Sequence, residues 1–268
     1  MPTYLVTGAS RGIGYEFVRQ LSEDAASTII GMVRDKDATE KRFAEEVGRS
    51  NIHIVKGDLQ DHNSLKNACR EVASITGGSL DYLIANASFF PPNTGFATVA
   101  DLMETPDQYL SDLEETFQVN VVGNIQLFNT FLPLILKGET KKVITLGSLN
   151  GDTDLTAKYN LATMVPYSIS KAALNMAVAK YSAEYREKGV LFMSIAPGST
   201  ATFEPMTEKQ QARLMEDTKR FMAHAPHFAG LASPAESVAL VRKVMEKCSI
   251  ENGDGGTYVS QFGNKQWQ

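Results

Sequence analysis

The chain has 268 residues, enough for one large α/β domain or two small ones. Hydrophobic residues make up 43% and charged residues 21%, and the net charge of -5 argues against a nucleic-acid-binding surface. No apolar run approaches membrane-spanning length and no targeting segment is recognisable, so we expect a cytoplasmic protein. Cys69 and Cys248 fit no metal-ligand spacing and are interpreted as reduced thiols. Without repeats or linkers, residues 1–268 are expected to form a single domain.

Short apolar runs alternate with segments of helical periodicity along the chain. Strands are predicted at 4–7, 28–33, 52–55, 82–85, 142–146, 190–195 and 256–259, the last of them at an edge. Helices are predicted at 15–22, 37–47, 63–75, 105 to beyond 128, 167–188, 202–228 and 233–247, with capping boxes at 105–108 and 233–236. This alternation predicts an α/β fold, a doubly wound parallel sheet (Rossmann fold) of about seven strands with helices on both faces. The loops at about 88–105, 149–166 and 199–230 are expected to border a substrate.

A glycine-rich turn joins the first strand to the first helix, with the sequence Gly8-Ala9-Ser10-Arg11-Gly12-Ile13-Gly14. Glycines permit a tight turn and a close approach of the backbone to a pyrophosphate, and the helix that follows offers unpaired N–H groups. Close packing of a helix on a strand would explain one of these glycines but not all of them. We therefore predict that Gly8, Ser10, Arg11, Gly12, Ile13 and Gly14 bind a dinucleotide.

The end of the second strand indicates which dinucleotide binds. An acid usually holds the ribose 2′-hydroxyl of NAD(H) there, whereas this strand is followed by Arg34 and then Asp35. Arg11 in the glycine turn is expected to reach the same corner. Two arginines favour a 2′-phosphate, hence NADP(H) over NAD(H), although Asp35 is also placed to pair with Arg34.

Polar residues follow the other strands at the same predicted edge, where ligands of doubly wound folds bind. Asp58-Leu59 follows the third strand and is placed to meet an adenine amino group and ring face. Asn86-Ala87 follows the fourth, Ser148 the fifth and Pro197-Gly198 the sixth, with Thr202 shortly after.

Tyr167 and Lys171 lie four residues apart in a predicted helix, which puts both side chains on one face. A phenol titrates near pH 10, and a nearby positive charge favours the phenolate. The pair is therefore a candidate proton-transfer device.

Together these motifs resemble the short-chain dehydrogenase/reductase family over essentially the whole chain. The motifs that carry the resemblance are 7–14, Asp58, Asn86-Ala87, Asn120, Ser148, Tyr167 with Lys171, and Pro197-Gly198. Arg34, the long interval between Ser148 and Tyr167, and the tail at 255–265 resemble a branch of single-domain NADPH-dependent carbonyl reductases that includes fungal ketoreductases.

The resemblance implies four catalytic residues. Tyr167 would give its proton to a carbonyl oxygen, and Ser148 would hydrogen-bond that oxygen. Lys171 would hold the nicotinamide ribose and ease loss of the phenolic proton. Asn120 would lie at a break in the long helix and hold a water that links Lys171 to solvent.

The resemblance also implies further contacts. Thr202 and the backbone near Pro197-Gly198 would hold the cofactor carboxamide. The family commonly forms dimers or tetramers through two long helices, here those around Asn120 and Ala173.

The chain departs from the family pattern at two places. Ser88 stands where the family usually has glycine, and its Cβ would crowd the cofactor ribose or shift the loop. The interval between Ser148 and Tyr167 is longer than usual, which predicts an enlarged loop beside the substrate.

Weaker signals concern metals and substrate contacts. His224 and His227 have a ligand-like spacing, but Pro226 between them would break the helix, so no metal is expected. Some Phe and Met residues of the substrate loops are candidates for contact with an apolar or aromatic carbonyl compound rather than for the core. They are Phe89, Phe90, Phe96, Met206, Met215, Phe221 and Met222.

The leading hypothesis is an NADPH-dependent reductase of ketones or aldehydes, or the reverse oxidation of a secondary alcohol. Two alternatives stay open at this point: a relative with non-redox chemistry (a dehydratase, isomerase or cyclase), and a dinucleotide-sensing regulator. The presence of Ser148, Tyr167 and Lys171 argues against both.

Overall fold

A computed structural model describes residues 1–202, 206–224, 230–265 and 267. Its seven strands form one parallel sheet in the order β3-β2-β1-β4-β5-β6-β7, which confirms the predicted Rossmann fold. The strands are β1 Thr3–Thr7, β2 Thr28–Val33, β3 Ile52–Lys56, β4 Tyr82–Ala85, β5 Lys142–Leu146, β6 Leu191–Ala196 and β7 Tyr258–Ser260. The predicted edge position of the last strand is also confirmed.

Helices cover both faces of this sheet. They are α1 Gly12–Leu21, α2 Lys36–Glu46, α3 His62–Thr76, α4 Val99–Glu104, α5 Pro106–Phe117, α6 Asn124–Ile135, α7 Thr153–Tyr159, α8 Val165–Tyr185, α9 Glu208–His224 and α10 Pro234–Lys247. A π-helical turn, Gln118–Gly123, joins α5 to α6, and 3₁₀ turns occupy Leu149–Gly151 and Arg186–Lys188.

The sheet separates two apolar core layers, which is why its interior strand β5 is buried along its whole length. Leu65 of α3, Phe131 of α6 and Val178 of α8 belong to one layer. Phe17 of α1 and Val241 of α10 belong to the other. Since both faces are covered, the polar ends of the strands are the part of the sheet left to bind a ligand.

The first predicted capping box is wrong. Thr105 precedes α5, but its side chain accepts no capping hydrogen bond, and Gln108 donates to Asp112 Oδ1 at 2.8 Å instead. The box lies one helix earlier, where Asp101 N–H donates to Thr98 Oγ1 at 3.3 Å and Thr98 N–H donates to Asp101 Oδ2 at 3.0 Å. That box begins α4, which the sequence analysis placed in a loop. The second box, between Ser233 and Glu236, is confirmed.

The enlarged interval between β5 and α8 is more ordered than the predicted loop. Asp152 caps α7 by accepting from Leu155 N–H at 2.9 Å, and Asn160 ends that helix in the left-handed conformation with φ of 52°. The segment is therefore a short helix held between two turns.

The predicted helix at 202–228 is confirmed over α9, while residues 203–205 and 225–229 lie outside the described residues. In the part of the chain that the structure describes, no helix is both long and apolar enough to cross a membrane. The assignment of all residues 1–268 to one domain stays a prediction.

Candidate active site

The carboxyl ends of four neighbouring strands, β1, β4, β5 and β6, bring the predicted site residues to one edge of the sheet. The glycine turn follows β1, Asn86-Ala87 follows β4, Ser148 follows β5, and Pro197-Gly198 follows β6. Thr202 lies at the same edge. Its methyl carbon is 3.4 Å from the position that a Cβ added to Gly12 would occupy. The parallel topology therefore assembles the group that the sequence predicted.

The glycine turn has the geometry of a phosphate cradle. Gly8 and Gly12 have φ of 68° and 57°, a region that side chains disfavour, and a Cβ on Gly14 would overlap the Gly8 carbonyl oxygen. Arg11 is the N-cap residue of α1 and has an extended backbone. Its side chain makes no capping hydrogen bond to the helix. The first N–H groups of α1 are thus left to a ligand at the positive end of the helix dipole, which suits a dinucleotide pyrophosphate.

Asn86 holds the glycine turn from the neighbouring strand. Its Nδ2 donates to the carbonyl oxygens of Thr7 and Gly8 at 2.9 and 3.4 Å. The Thr7 hydroxyl accepts from the N–H groups of Asn86 and Ala87 at 3.0 and 2.9 Å. The Asn86 side chain is therefore engaged with protein, and the predicted cofactor contact of Asn86-Ala87 stays a prediction.

Arg34 is exposed at the end of β2 and forms no hydrogen bond or ion pair with any residue that the structure describes. Asp35, which was placed to neutralise it, instead caps α2 by accepting from Ala38 N–H at 3.2 Å. The local sequence thus separates the acid from the guanidinium. Arg11 is also exposed, in the glycine turn at the same edge of the sheet.

Arg42 is a cation beside the glycine turn that sequence analysis missed. Its Nη1 donates to the Ser10 carbonyl at 3.1 Å, its guanidinium lies 4.1 Å over the Tyr15 ring, and its Nε binds Glu46 at 3.0 Å. The only signal in the sequence was the helical spacing of Arg42 and Glu46, which does not point to the turn.

Asp58 and Leu59 follow β3 as predicted but differ in exposure. Asp58 is partly exposed, and its Oδ1 accepts from Gln60 N–H at 3.0 Å. Leu59 is buried, and a Cβ added to Gly123 would lie 2.8 Å from the Cβ of Leu59. Leu59 therefore supports the π-helical turn, and a contact with adenine stays a prediction.

Tyr167 and Lys171 share one face of α8, as their spacing predicts. Lys171 is only 3% exposed; its Nζ donates to the Leu146 carbonyl at 2.8 Å and lies 5.4 Å from the centre of the Tyr167 ring. Burial lowers the pKa of Lys171 to about 8. Burial also raises the pKa of Tyr167 to about 12, opposed by hydrogen bonding from Ser148 and then Ser88. Tyr167 is therefore a neutral phenol, the form that donates a proton.

Ser148 is oriented from the far edge of the sheet. Its Oγ accepts from Asn150 N–H at 3.3 Å, and its carbonyl accepts from the Tyr258 hydroxyl of β7. The Tyr258 ring lies 4.6 Å from that of Trp267. Burial raises the pKa of Tyr258, so this phenol stays a donor to Ser148. Sequence analysis identified Tyr258 as a strand residue and missed this contact.

Asn120 lies in the π-helical turn, so the helix is interrupted where the resemblance implied a break. Its Oδ1 accepts from Phe89 N–H at 2.7 Å and from the Ser88 hydroxyl at 3.1 Å. Its Nδ2 donates to the Phe89 carbonyl at 2.9 Å and to Ser170 Oγ at 3.0 Å, and its carbonyl accepts from Asn124 at 2.9 Å. Its side chain thus clamps the loop after β4 onto α8.

Of the apolar candidates, Phe90 contacts the Tyr167 ring, with ring centres 5.3 Å apart, and it also contacts Phe96 at 5.2 Å. Phe221 is buried against Tyr159, whereas Met215 is exposed, as is a further methionine of α9, Met222. The structure therefore brings Phe90 to Tyr167 and places the two methionines on the protein surface.

Helix α9 connects the two loops that flank this site. Arg213 binds both carboxylate oxygens of Asp101 at 3.0 Å, and Gln210 Nε2 donates to the Pro92 carbonyl at 2.7 Å. On the other side, Arg220 Nη1 donates to the Asn160 carbonyl at 3.0 Å. Contacts on both sides thus join α9 to the segment around Pro92 and Asp101 and to the end of α7 at Asn160.

His224 and His227 have the ligand-like spacing noted above, and His227 lies outside the described residues. Within the described ranges, no group of three or more His, Cys, Asp or Glu side chains is arranged to hold a metal ion.

Known proteins resemble this chain in sequence and in fold. A sequence model of the family described as short chain dehydrogenase matches residues 2–213. The chain is 47% identical over 270 residues to the short chain dehydrogenase virK of Hypocrea virens, covering 100% of both chains. It is 42% identical over 271 residues to the short-chain dehydrogenase/reductase iacC of Pestalotiopsis fici, again covering 100% of both. Among solved structures, an NADPH-bound carbonyl reductase from chicken fatty liver matches with a TM-score of 0.77 and 26% identity over 98% of each chain.

Proposed function

Because the chain belongs to the short-chain dehydrogenase family, as its motifs indicated, we propose that it reduces a ketone or an aldehyde with NADPH. The reverse reaction would oxidise the corresponding secondary alcohol. The observation that carries this proposal is the neutral Tyr167 phenol beside buried Lys171 and Ser148, at the edge of the sheet that also holds the glycine turn. A non-redox relative or a regulator would not need all of these groups together.

A reduced nicotinamide dinucleotide supplies a hydride when bound, and this edge fits such a group. The uncapped start of α1, with Gly8, Ser10, Gly12, Ile13 and Gly14, would hold the pyrophosphate. Asp58-Leu59 would meet the adenine, and Asn86-Ala87 would lie along the ribose. Thr202 and the backbone at Pro197-Gly198 would hold the carboxamide.

The choice of NADPH rests on cations at the end of β2. Arg34 has no partner among the described residues, and Asp35 is occupied in capping α2. Arg34 and Arg11 would therefore bind a 2′-phosphate, for which guanidinium is a well-matched donor. The NADPH-bound state of the chicken reductase is consistent with this choice.

In reduction, Tyr167 would donate its proton to the carbonyl oxygen of the substrate. Ser148, oriented by Tyr258, would hydrogen-bond the same oxygen as negative charge develops on it. With a pKa of about 8, Lys171 keeps most of its positive charge near neutral pH, and this charge would stabilise the phenolate left on Tyr167. Asn120 would maintain the helix break and the loop contact beside these groups.

The substrate that this site suits is an apolar or aromatic carbonyl compound. Phe90 places an aromatic edge next to Tyr167, and Phe96 supports it from behind. An aromatic substrate would pack against Phe90 with its carbonyl toward Tyr167 and Ser148.

We further propose that the protein forms a homodimer or homotetramer. The apolar side chains of Leu110 and Phe117 on α5, and of Ile169 and Met176 on α8, are exposed. These two helices pack side by side, so the four residues present an apolar face suited to a second copy of the chain.

The proposed reaction is tested with NADPH and a panel of aromatic and aliphatic ketones and aldehydes. We expect a loss of NADPH absorbance with part of the panel, and a fall in kcat of about a hundredfold or more in Tyr167→Phe, which lacks the proton donor. Tyr159→Phe, in the α7 segment, is a matched control that should keep most of the activity. Tight NADPH binding with no oxidation by any carbonyl would contradict the redox function, and substrate conversion without cofactor change would favour an isomerase or cyclase.

The cofactor assignment is tested by Arg34→Ala. Loss of a charged hydrogen bond to the 2′-phosphate should weaken NADPH binding by about ten- to a hundredfold and leave NADH binding nearly unchanged. Dissociation constants for both cofactors, measured by titration calorimetry, provide the comparison. Arg70→Ala removes an exposed arginine from α3 and serves as the control. Equal weakening of both cofactors would contradict a 2′-phosphate site at Arg34.

A further inference from the structure

Residues at and just after β7 contact three separate parts of the candidate site. We call three of them the β7 clamp: Tyr258, Gln261 and Lys265. The Tyr258 hydroxyl donates to the Ser148 carbonyl, and the same carbonyl accepts from Gly151 N–H at 2.8 Å. The Tyr258 ring lies so close to the end of β5 that a Cβ added to Gly147 would be 2.9 Å from Tyr258 Cε2. The absence of a side chain at Gly147 therefore lets the phenol reach Ser148 from the edge strand.

Lys265 joins Tyr258 to the segment that was expected to border the substrate. Its Nζ lies 3.4 Å from Asp152 Oδ2 and 5.3 Å from the centre of the Tyr258 ring. Asp152 is only 9% exposed, and its Oδ1 caps α7 by accepting from Leu155 N–H at 2.9 Å. One carboxylate thus holds both the start of α7 and the cation of the clamp. Because Lys265 is largely exposed, its ion pair alone is weak, and the clamp depends mainly on Tyr258.

Gln261 packs on the turn after β6. A Cβ added to Gly198 would lie 2.7 Å from Gln261 Nε2, and Gly198 has a φ of 80°. A hydrogen bond from Ser260 N–H to the Asn264 carbonyl at 2.8 Å closes the loop that carries Gln261 and leads to Lys265. The clamp therefore contacts the end of β5, the start of α7 and the turn after β6, which are the parts of the site proposed to meet the substrate and the cofactor carboxamide.

The contacts with Ser148 and Asp152 come from the far edge of the sheet, so they fix main chain beside the substrate without occupying its place. We propose that Tyr258 and Lys265 are positioning residues, which hold Ser148 and the start of α7 in one geometry. The role rests on the proposed function of Ser148 as the donor to the substrate oxygen. A donor stabilises developing charge only when it is accurately placed, so a loosened Ser148 should lower the reaction rate more than cofactor binding.

The first test measures how firmly this region is held, with neither cofactor nor substrate present. Tyr258→Phe removes only the hydroxyl and keeps the ring on Gly147. We expect amide hydrogen exchange in peptides covering residues 148–156, followed by mass spectrometry, to become about three- to tenfold faster, the size expected for one lost hydrogen bond. Lys265→Met should cause a smaller increase at the start of α7. Unchanged exchange in both variants would overturn the proposal.

Tyr185 and Lys188 provide matched controls for this measurement. Lys188 Nζ lies 4.8 Å from the centre of the Tyr185 ring, a pair similar to that of Lys265 and Tyr258. The control pair lies between the end of α8 and the start of β6, at the edge of the sheet opposite the candidate site. Tyr185→Phe and Lys188→Met should therefore exchange like the wild type over residues 148–156.

The second test asks whether Tyr258 acts through Ser148. With a carbonyl compound that the wild type reduces, Tyr258→Phe should lower kcat by about five- to tenfold and leave the dissociation constant of NADPH within about twofold. In a Ser148→Ala background the same change should lower kcat by less than about twofold, since the group that Tyr258 positions is already absent.

Equal losses of kcat in the two backgrounds would also overturn the proposal, because Tyr258 would then act independently of Ser148. If no carbonyl compound is reduced by the wild type, the proposed function fails. The exchange measurement needs no turnover, so it still decides whether the β7 clamp holds Ser148 and α7.

Discussion

Burial of Lys171 makes the stability of the free protein depend on pH in a defined window. Its pKa is about 8 in the folded chain against an ordinary 10.5, so the unfolded chain binds more protons between these values and stability rises with pH. Tyr167 acts in the opposite direction above about pH 10, because the folded phenol keeps its proton until about pH 12. The contribution of Lys171 should therefore be visible between about pH 8 and pH 10.

We expect the free energy of unfolding of the wild type, relative to Lys171→Met, to rise by about 2 kcal/mol across that window. Urea unfolding of both proteins at several pH values measures this difference. Subtracting the two unfolding free energies removes the opposing effect of the cysteines, whose thiol pKa values burial raises. Lys180→Met, which removes an exposed lysine from the same helix, should behave as the wild type. Parallel curves for the wild type and Lys171→Met would show that Lys171 is not buried as described.

At the scale of single residues, the sequence predicts which groups meet but not how each is held. Tyr167 and Lys171 were identified because helical spacing alone puts them on one face. The hydrogen bonds from Ser88 to Asn120 and from Tyr258 to Ser148 were missed, because the two hydroxyls lie in a loop and in an edge strand far along the chain. No local pattern carries such information, since a serine or tyrosine has the same sequence signature whether its hydroxyl is bonded or free.

At the scale of elements, the errors occur where short-range signals compete. Thr98 and Thr105 each stand three residues before a residue able to complete a capping box. Only Thr98 forms the box, because Thr105 is both the end of α4 and the start of α5, with ψ of 63°. Helix α7 was missed for a related reason: its seven residues are fewer than the window of about 11 to 18 residues over which helical periodicity is recognised.

At the scale of the whole molecule, the strands and their parallel, doubly wound arrangement were predicted because they follow from general rules. Buried parallel strands are apolar runs, and right-handed crossovers leave few topologies for them. The edge that carries the candidate site then follows from the sheet, since parallel strands end on the same side. The assembly of copies is not contained in these rules, because the apolar residues at issue lie on helix surfaces.

The face formed by Leu110, Phe117, Ile169 and Met176 therefore gives the last prediction. We expect sedimentation equilibrium to show a particle at least twice the chain mass of 29.3 kDa. The double variant Leu110→Glu with Met176→Glu should shift it toward the monomer, because two carboxylates on the face would have to be desolvated in the interface. Met215→Glu adds a charge at an equally exposed methionine of α9 and should not change the mass. A wild type that sediments at 29.3 kDa at micromolar concentration would exclude a stable dimer through α5 and α8.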